Sequence, residues 1–165
     1  MGEKLTKTDV EKIEKEIHER IVHTRHELLE EVKEARSHGD LSENFEYHAA
    51  KKAKNQNESR IRYLQRVLKN ATVIDDSSDD DEVGLNNTVT IYFPEDDMEE
   101  VYKITTSIRS NSLDGRLDME SPLGKAIMHH KVGDTVTVNM PDFSYDVVIK
   151  NIDKTSTDDD EIRKF

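Results

Sequence analysis

The chain has 165 residues, 33% hydrophobic and 36% charged, which is too little apolar material for one large core; one or two small domains with an elongated, high-surface shape are expected. A formal net charge of -12 argues against a protein that simply coats nucleic acid, because phosphate binding requires a basic surface to release counterions; any approach to nucleic acid must be local or through another protein. The lack of cysteine excludes a disulfide framework, a thiolate metal site and a cysteine nucleophile, and it fits a reducing compartment, with the cytoplasm as the default.

The N-terminal MGEKLTKTDVEKIEKEI carries no apolar run of signal-peptide type, and no stretch approaches membrane-spanning length, so no membrane association is expected. From Thr8 to Ser37, apolar or small residues recur at Val10, Ile13, Ile17, Ile21, Thr24, Leu28, Val32 and Ala35, in steps of three and four. The positions between them are almost all charged or His, which predicts a helix with one narrow seam, a coiled-coil arm of about 45 Å at 1.5 Å per residue. Thr8 and Glu11 have capping-box spacing and predict the helix start. The stretch Glu34 to Ala50, EARSHGDLSENFEYHAA, interrupts this pattern: Gly39 suits a positive φ, and an acidic turn and a fresh helix follow. From Phe45 to Ala71 the pattern resumes with Ala49 or Ala50, Ala53, Asn57, Ile61, Leu64, Leu68 and Ala71. Alanines and polar residues near the turn, with Ile and Leu far from it, predict thin packing at the tip and firm packing at the base. A short connection makes the two helices antiparallel.

Val73 and Ile74 then lead into Asp75-Asp76-Ser77-Ser78-Asp79-Asp80-Asp81-Glu82, a self-repelling run that marks a domain boundary. Beyond it the period changes to two: Val89, Ile91 and Phe93; Val101 with Lys103; Val136, Val138 and Met140; Tyr145 and Val147. Turns are predicted at Pro94-Glu95-Asp96-Asp97, Gly133-Asp134 and Pro141-Asp142, and Ser121-Pro122 signals one short helix. The fold class is therefore α+β: an antiparallel helical hairpin over 1–75, an acidic linker over 76–84, a small antiparallel sheet domain with one helix over 85–154, and a frayed acidic tail over 155–165.

The chemistry-bearing residues cluster at the turn. Asp40 and Glu43 have the spacing of a capping box, so their arrangement alone favours a helix cap over carboxylates presented to a metal. Arg36 and Lys51 flank the turn, and a solvated face and a phosphate-facing patch both stay open for them; Lys52, Lys54, Arg60, Arg62 and Arg66 are read as a solvated face. The pairs His23/His26 and His129/His130 have no third convergent ligand and are read as surface histidines, while Asp79 to Glu82 lacks the glycine-centred spacing of a calcium loop. No Gly-rich phosphate loop and no nucleophile with a partnered base is evident.

Three stretches, EARSHGDLSENFEYHAA, RIRYLQRVLKNATVID and SPLGKAIMHHKVGDTVTV, resemble the bacterial Gre transcription elongation and transcript cleavage factors, the GreA-like proteins, in order, spacing and total length. The resemblance implies a coiled-coil N-terminal domain, an FKBP-like C-terminal domain without prolyl isomerase activity, and a monomer that binds bacterial RNA polymerase at the rim of its secondary channel. It further implies that the protein is not itself an enzyme and has no cofactor of its own: Asp40 and Glu43 would reach the polymerase active site and help hold its second Mg²⁺, so that the 3′ end of a backtracked nascent RNA is hydrolysed. In the same way Arg36 and Lys51 would contact the RNA, and Gly39, Leu41, Asn44, Tyr47 and His48 would support the tip. Phe45 departs from the family, which often has a small residue there, and is expected to pack under the loop. A Gre-like regulator that occupies the channel without promoting cleavage is the alternative, and a peptide-binding or chaperone role for the FKBP-like domain is a weaker third.

Overall fold

The computed structural model describes residues 2–39, 43–154 and 157–164. The chain divides into two compact units, one comprising Met1–Gly2 with Val10–Ala71 and the other Glu3–Asp9 with Thr72–Phe165. No helix among the described residues is long and apolar enough to cross a membrane.

The first unit holds α1 (Lys7–Glu19, whose first turn belongs to the second unit), a π-helical turn (Arg20–Thr24), α2 (Arg25–Arg36) and α3 (Phe45–Asn70). The backbone stays right-handed helical through Glu19, Thr24 and Arg25, so the stretch expected as one helix is a single helical path with a π turn inserted. A π turn spends an extra residue per turn and so rotates the apolar stripe off the seam. Accordingly, no residue of that turn is buried, and Ile21, expected in the seam, is exposed.

Polar side chains cross the hairpin at this level instead. Arg60 donates to both Glu16 carboxylate oxygens at 2.8 and 3.2 Å, Arg25 to both Glu58 oxygens at 2.8 and 3.0 Å, and Arg20 to Asn57 Oδ1 at 2.9 Å. Arg60, expected on a solvated face, is thus buried; a guanidinium whose fork meets a carboxylate can leave water. Burial pushes the Glu16 carboxyl up, but the hydrogen bonds from Arg60 and Arg20 outweigh it and hold the group below its ordinary value. Apolar burial lies on either side, at Ile13, Ile61, Leu64 and Val67 toward the base and at Val32, Ala35 and Tyr47 toward the tip. Packing is therefore thinnest in the middle of the hairpin, whereas the sequence suggested the tip. The Tyr47 ring supplies the bulk that the alanines lack, and Val67 takes the buried place assigned to Leu68.

In the second unit, β1 (Lys4–Leu5) pairs in parallel with β2 (Thr72–Val73), and a sheet runs in the order β5 (Arg116–Asp118), β4 (Met98–Thr105), β3 (Thr88–Phe93), β7 (Ser144–Asp153), β6 (Thr135–Asn139). Its pairs are antiparallel except β4–β5. Helix α4 (Pro122–Ile127) has Pro122 in its first turn and Ser121 as cap, its hydroxyl accepting from Gly124 N at 3.1 Å. Val89, Ile91, Ile104, Leu123, Ile127, Val136, Val138, Val147 and Ile149 form the core. Strand β4 turns its core phase through Tyr102 and Ile104, leaving Val101 exposed.

Four expectations change in this unit. Helix α1 is capped by Thr6 and Asp9, not Thr8 and Glu11: Thr6 N donates to Asp9 Oδ2 at 2.9 Å and Asp9 N to Thr6 Oγ1 at 3.2 Å. The choice follows from Asp9, which is fully buried and needs these partners together with Thr106 Oγ1 at 2.7 Å and Arg109 Nε at 2.5 Å. Residues 3–9 consequently belong with this unit, although the sequence placed them in the hairpin. The expected linker 76–84 is anchored, since Val83 lies in the core and Lys154 Nζ reaches Ser78 Oγ, the Asp79 and Glu82 carbonyls and Asn87 Oδ1 at 2.8 to 2.9 Å. Residues 157–164 also fold back: Asp160 accepts from Arg109 Nη1 at 3.0 Å and Lys103 Nζ at 2.7 Å, and Arg163 N donates to the Ile108 carbonyl. The buried Arg109 guanidinium draws in both carboxylates, Asp9 and Asp160.

Candidate functional site

Helix α2 ends in a tight turn in which Ser37 N donates to the Glu34 carbonyl and His38 N to the Ala35 carbonyl. Gly39 follows at φ +123°, a backbone conformation that a side chain would strain although the space beside it is open. Asp40 and Leu41, both singled out by the sequence, lie with Ser42 outside the described residues.

Glu43 is exposed and precedes helix α3. The cap of that helix is Asn44, extended at φ -88° and ψ 96°, whose Oδ1 accepts from Tyr47 N at 3.1 Å. Its Nδ2 donates to the Ala35 carbonyl at 2.6 Å, so one amide side chain starts α3 and ties it to the end of α2. This arrangement overturns the capping reading for Glu43. A capping-box glutamate sits three residues inside its helix, and Glu43 sits one residue before the cap.

Tyr47 is buried against Val32 and Ala35, with Ala50 beside them. The Arg36 guanidinium lies 5.6 Å and the Lys51 ammonium 6.0 Å from its ring centroid, so cations from both helices converge on one aromatic ring. A hydrogen bond with Arg36 draws the Tyr47 hydroxyl below its ordinary value against burial, and the Lys51 and Lys54 charges act in the same direction. His48 packs edge-on to the Tyr47 ring at 5.4 Å. Phe45 does not pack under the loop. It is 87% exposed at the first position of α3, because Tyr47 already occupies the space between the helices.

One pair was missed: His38 Nδ1 meets Glu46 Oε2 at 2.9 Å, bridging the end of α2 and the start of α3. Periodicity carries no signal for such a contact, since the two residues belong to different helices; only their placement on opposite sides of the turn hints at it. Among the described residues no group of three or more His, Asp or Glu side chains could hold a metal ion, and the sequence has no Cys.

Two family profiles match the chain, "Transcription elongation factor, N-terminal" over residues 3–73 and "Transcription elongation factor, GreA/GreB, C-term" over residues 78–154. The transcription elongation factor GreA of Streptococcus pneumoniae serotype 19F (strain G54) is 41% identical over 153 residues, covering 92% of this chain and 96% of that protein. GreA of Streptococcus sanguinis (strain SK36) is 42% identical over 152 residues, covering 92% and 95%. Among solved structures, GreA factor homolog 1 of Thermus thermophilus aligns with 24% identity and a TM-score of 0.43, covering 92% of this chain and 99% of that one. The chain belongs to the GreA/GreB family of transcription elongation factors.

Proposed function

We propose that this protein binds bacterial RNA polymerase, enters its secondary channel tip first and stimulates hydrolysis of the 3′ end of backtracked nascent RNA, so that arrested complexes resume elongation. The observation that carries this reading is the division of labour at the tip: Asn44 caps α3, which leaves the Glu43 carboxylate exposed and outside the helix. Asp40, three positions earlier in the GDLSEN motif, is the second carboxylate of the proposed pair. Hard carboxylate oxygens suit Mg²⁺, which commonly takes one or two of them and keeps several waters. When bound in the polymerase, the Mg²⁺ would supply charge stabilisation to the attacking and leaving oxygens of the hydrolysis. Glu43 and Asp40 are the residues that would help hold the ion and orient a water. Arg36 and Lys51, fixed on the Tyr47 ring, lie against the RNA backbone and contribute affinity without sequence choice. The protein in this reading has no catalysis of its own.

The test is to add the protein to stalled elongation complexes with Mg²⁺ and follow RNA length. Wild type shortens the RNA from its 3′ end, and Asp40→Asn with Glu43→Gln abolishes the shortening while retaining binding. Equal cleavage by that double variant refutes the assignment. One observation favours a second reading, channel occupancy without cleavage: the exposed ring of Phe45 adjoins the tip and adds apolar bulk there. Slowed nucleotide incorporation by wild type with no RNA shortening identifies that outcome.

A further inference from the structure

Three aromatic side chains form a row at one end of the sheet. Phe93 closes β3, Tyr145 lies at the start of β7 and Phe143 just before it; Phe93 and Tyr145 stack with centroids 6.2 Å apart and planes at 30°, and Tyr145 and Phe143 at 6.2 Å and 29°. Phe93 and Tyr145 lean on the core, while Phe143 is 61% exposed. Two closed turns hold the row in place, with Asp96 N donating to the Phe93 carbonyl at 3.2 Å and Met140 N to the Phe143 carbonyl at 2.9 Å. Between them opens a cleft of about 250 Å³ lined by these three rings and by Glu95, Asp96 and Asp146, with no basic side chain among the described residues of its wall.

We propose that this cleft binds a lysine or arginine side chain carried by a protein partner. Aromatic faces attract cations through their quadrupoles, and the aliphatic stem of such a residue fits between rings while its charged head meets carboxylates. The charge of the wall selects the occupant. A nucleic acid base could stack on Phe143, but its phosphates would face Glu95, Asp96 and Asp146 and be repelled. An anionic or purely apolar segment gains nothing from the acidic rim. The site lies in the second unit and its chemistry is independent of the hairpin tip.

The experiment uses the full chain, isotopically labelled, with aromatic and amide NMR signals followed while acetyl-Gly-Arg-Gly-amide or acetyl-Gly-Lys-Gly-amide is added. The expected result is saturable shifts centred on Phe93, Phe143 and Tyr145 with either peptide, weakened by salt. Phe143→Ala, at an exposed position where folding is preserved, should weaken binding about tenfold, the loss of roughly one strong cation–aromatic contact. Asp146→Asn should weaken it less, and Glu43→Gln should leave it unchanged. Equal shifts from acetyl-Gly-Gln-Gly-amide would show an unselective apolar surface, and shifts of the same rings by oligouridylate would show a nucleic acid platform. Either result, or the absence of shifts with both basic peptides, overturns the proposal.

Discussion

Asn44 is the side chain on which the geometry of the tip most depends, and its replacement gives the sharpest test of the division between scaffold and site. Asn44→Ala removes the acceptor for Tyr47 N and the donor to the Ala35 carbonyl. Loss of a helix cap costs about 1 kcal/mol, and loss of a further side-chain to backbone hydrogen bond costs about 1 kcal/mol more. Since each 1.4 kcal/mol is a factor of ten, local opening of the tip should rise about 30-fold. The assay is native-state hydrogen exchange read at the Tyr47 amide, which reports local rather than global opening. Exchange there should accelerate by about that factor, while amides around Ile61 and Leu64 change little, because the buried residues near the base are remote from the tip. Asn44→Asp keeps the acceptor but loses the donor and places a carboxylate against the Ala35 carbonyl, so it should fall between wild type and Asn44→Ala. Transcript cleavage should follow the same order, although none of these variants alters a tip carboxylate. If Tyr47 exchanges at the wild-type rate in Asn44→Ala, Asn44 does not hold the tip and the argument fails.

Arg109→Leu leaves the buried Asp9 carboxylate without its guanidinium and should destabilise the second unit by about 3–5 kcal/mol in urea unfolding, and adding Asp9→Asn should recover part of that loss. Leu64→Asp puts an unpaired charge at a position with 0% exposure and should cost about 3 kcal/mol or more, seen as loss of helical circular dichroism, whereas Asp40→Asn should leave that signal intact. Glu16 has a folded pKa below its ordinary 4.5, so the stability it contributes is fully present above pH 4.5 and is lost as pH falls through the lower folded value. The hairpin's thermal midpoint should therefore drop on acidification below pH 4.5, and Glu16→Gln should flatten that dependence; an unchanged slope would remove Glu16 from the account.

Elements carried by a regular period were legible in the sequence, and groups held by one long-range polar partner were not. Val89, Ile91, Val136, Val138 and Val147 alternate and are buried as the period of two requires. Ser121 before Pro122 named a helix start that depends only on local chemistry. The choice of Thr6 over Thr8 as the cap of α1 depended on Arg109, a hundred residues away from Asp9, and no local spacing contains that information. Arg60 looked solvated because a basic residue on a charged helix usually is; only the position of Glu16 on the facing helix made it buried. Between Thr105 and Arg116 the chain is polar and without period, so β5 and the short turns before it gave no signal.

The tip combines both kinds of information. Its motif fixed the positions of Asp40, Glu43 and Asn44, but the spacing Asp-x-x-Glu pointed to a cap that the helix does not use. An acidic pair that also closed a helix would have to give up those amide hydrogen bonds to reach a metal, at a cost of about 1 kcal/mol for each lost cap. With Asn44 in that role, Glu43 is not the residue that accepts from the Tyr47 amide. The helix start therefore resides in Asn44 and the proposed ligand in the adjacent Glu43, so a Glu43 substitution can be read without removing the cap.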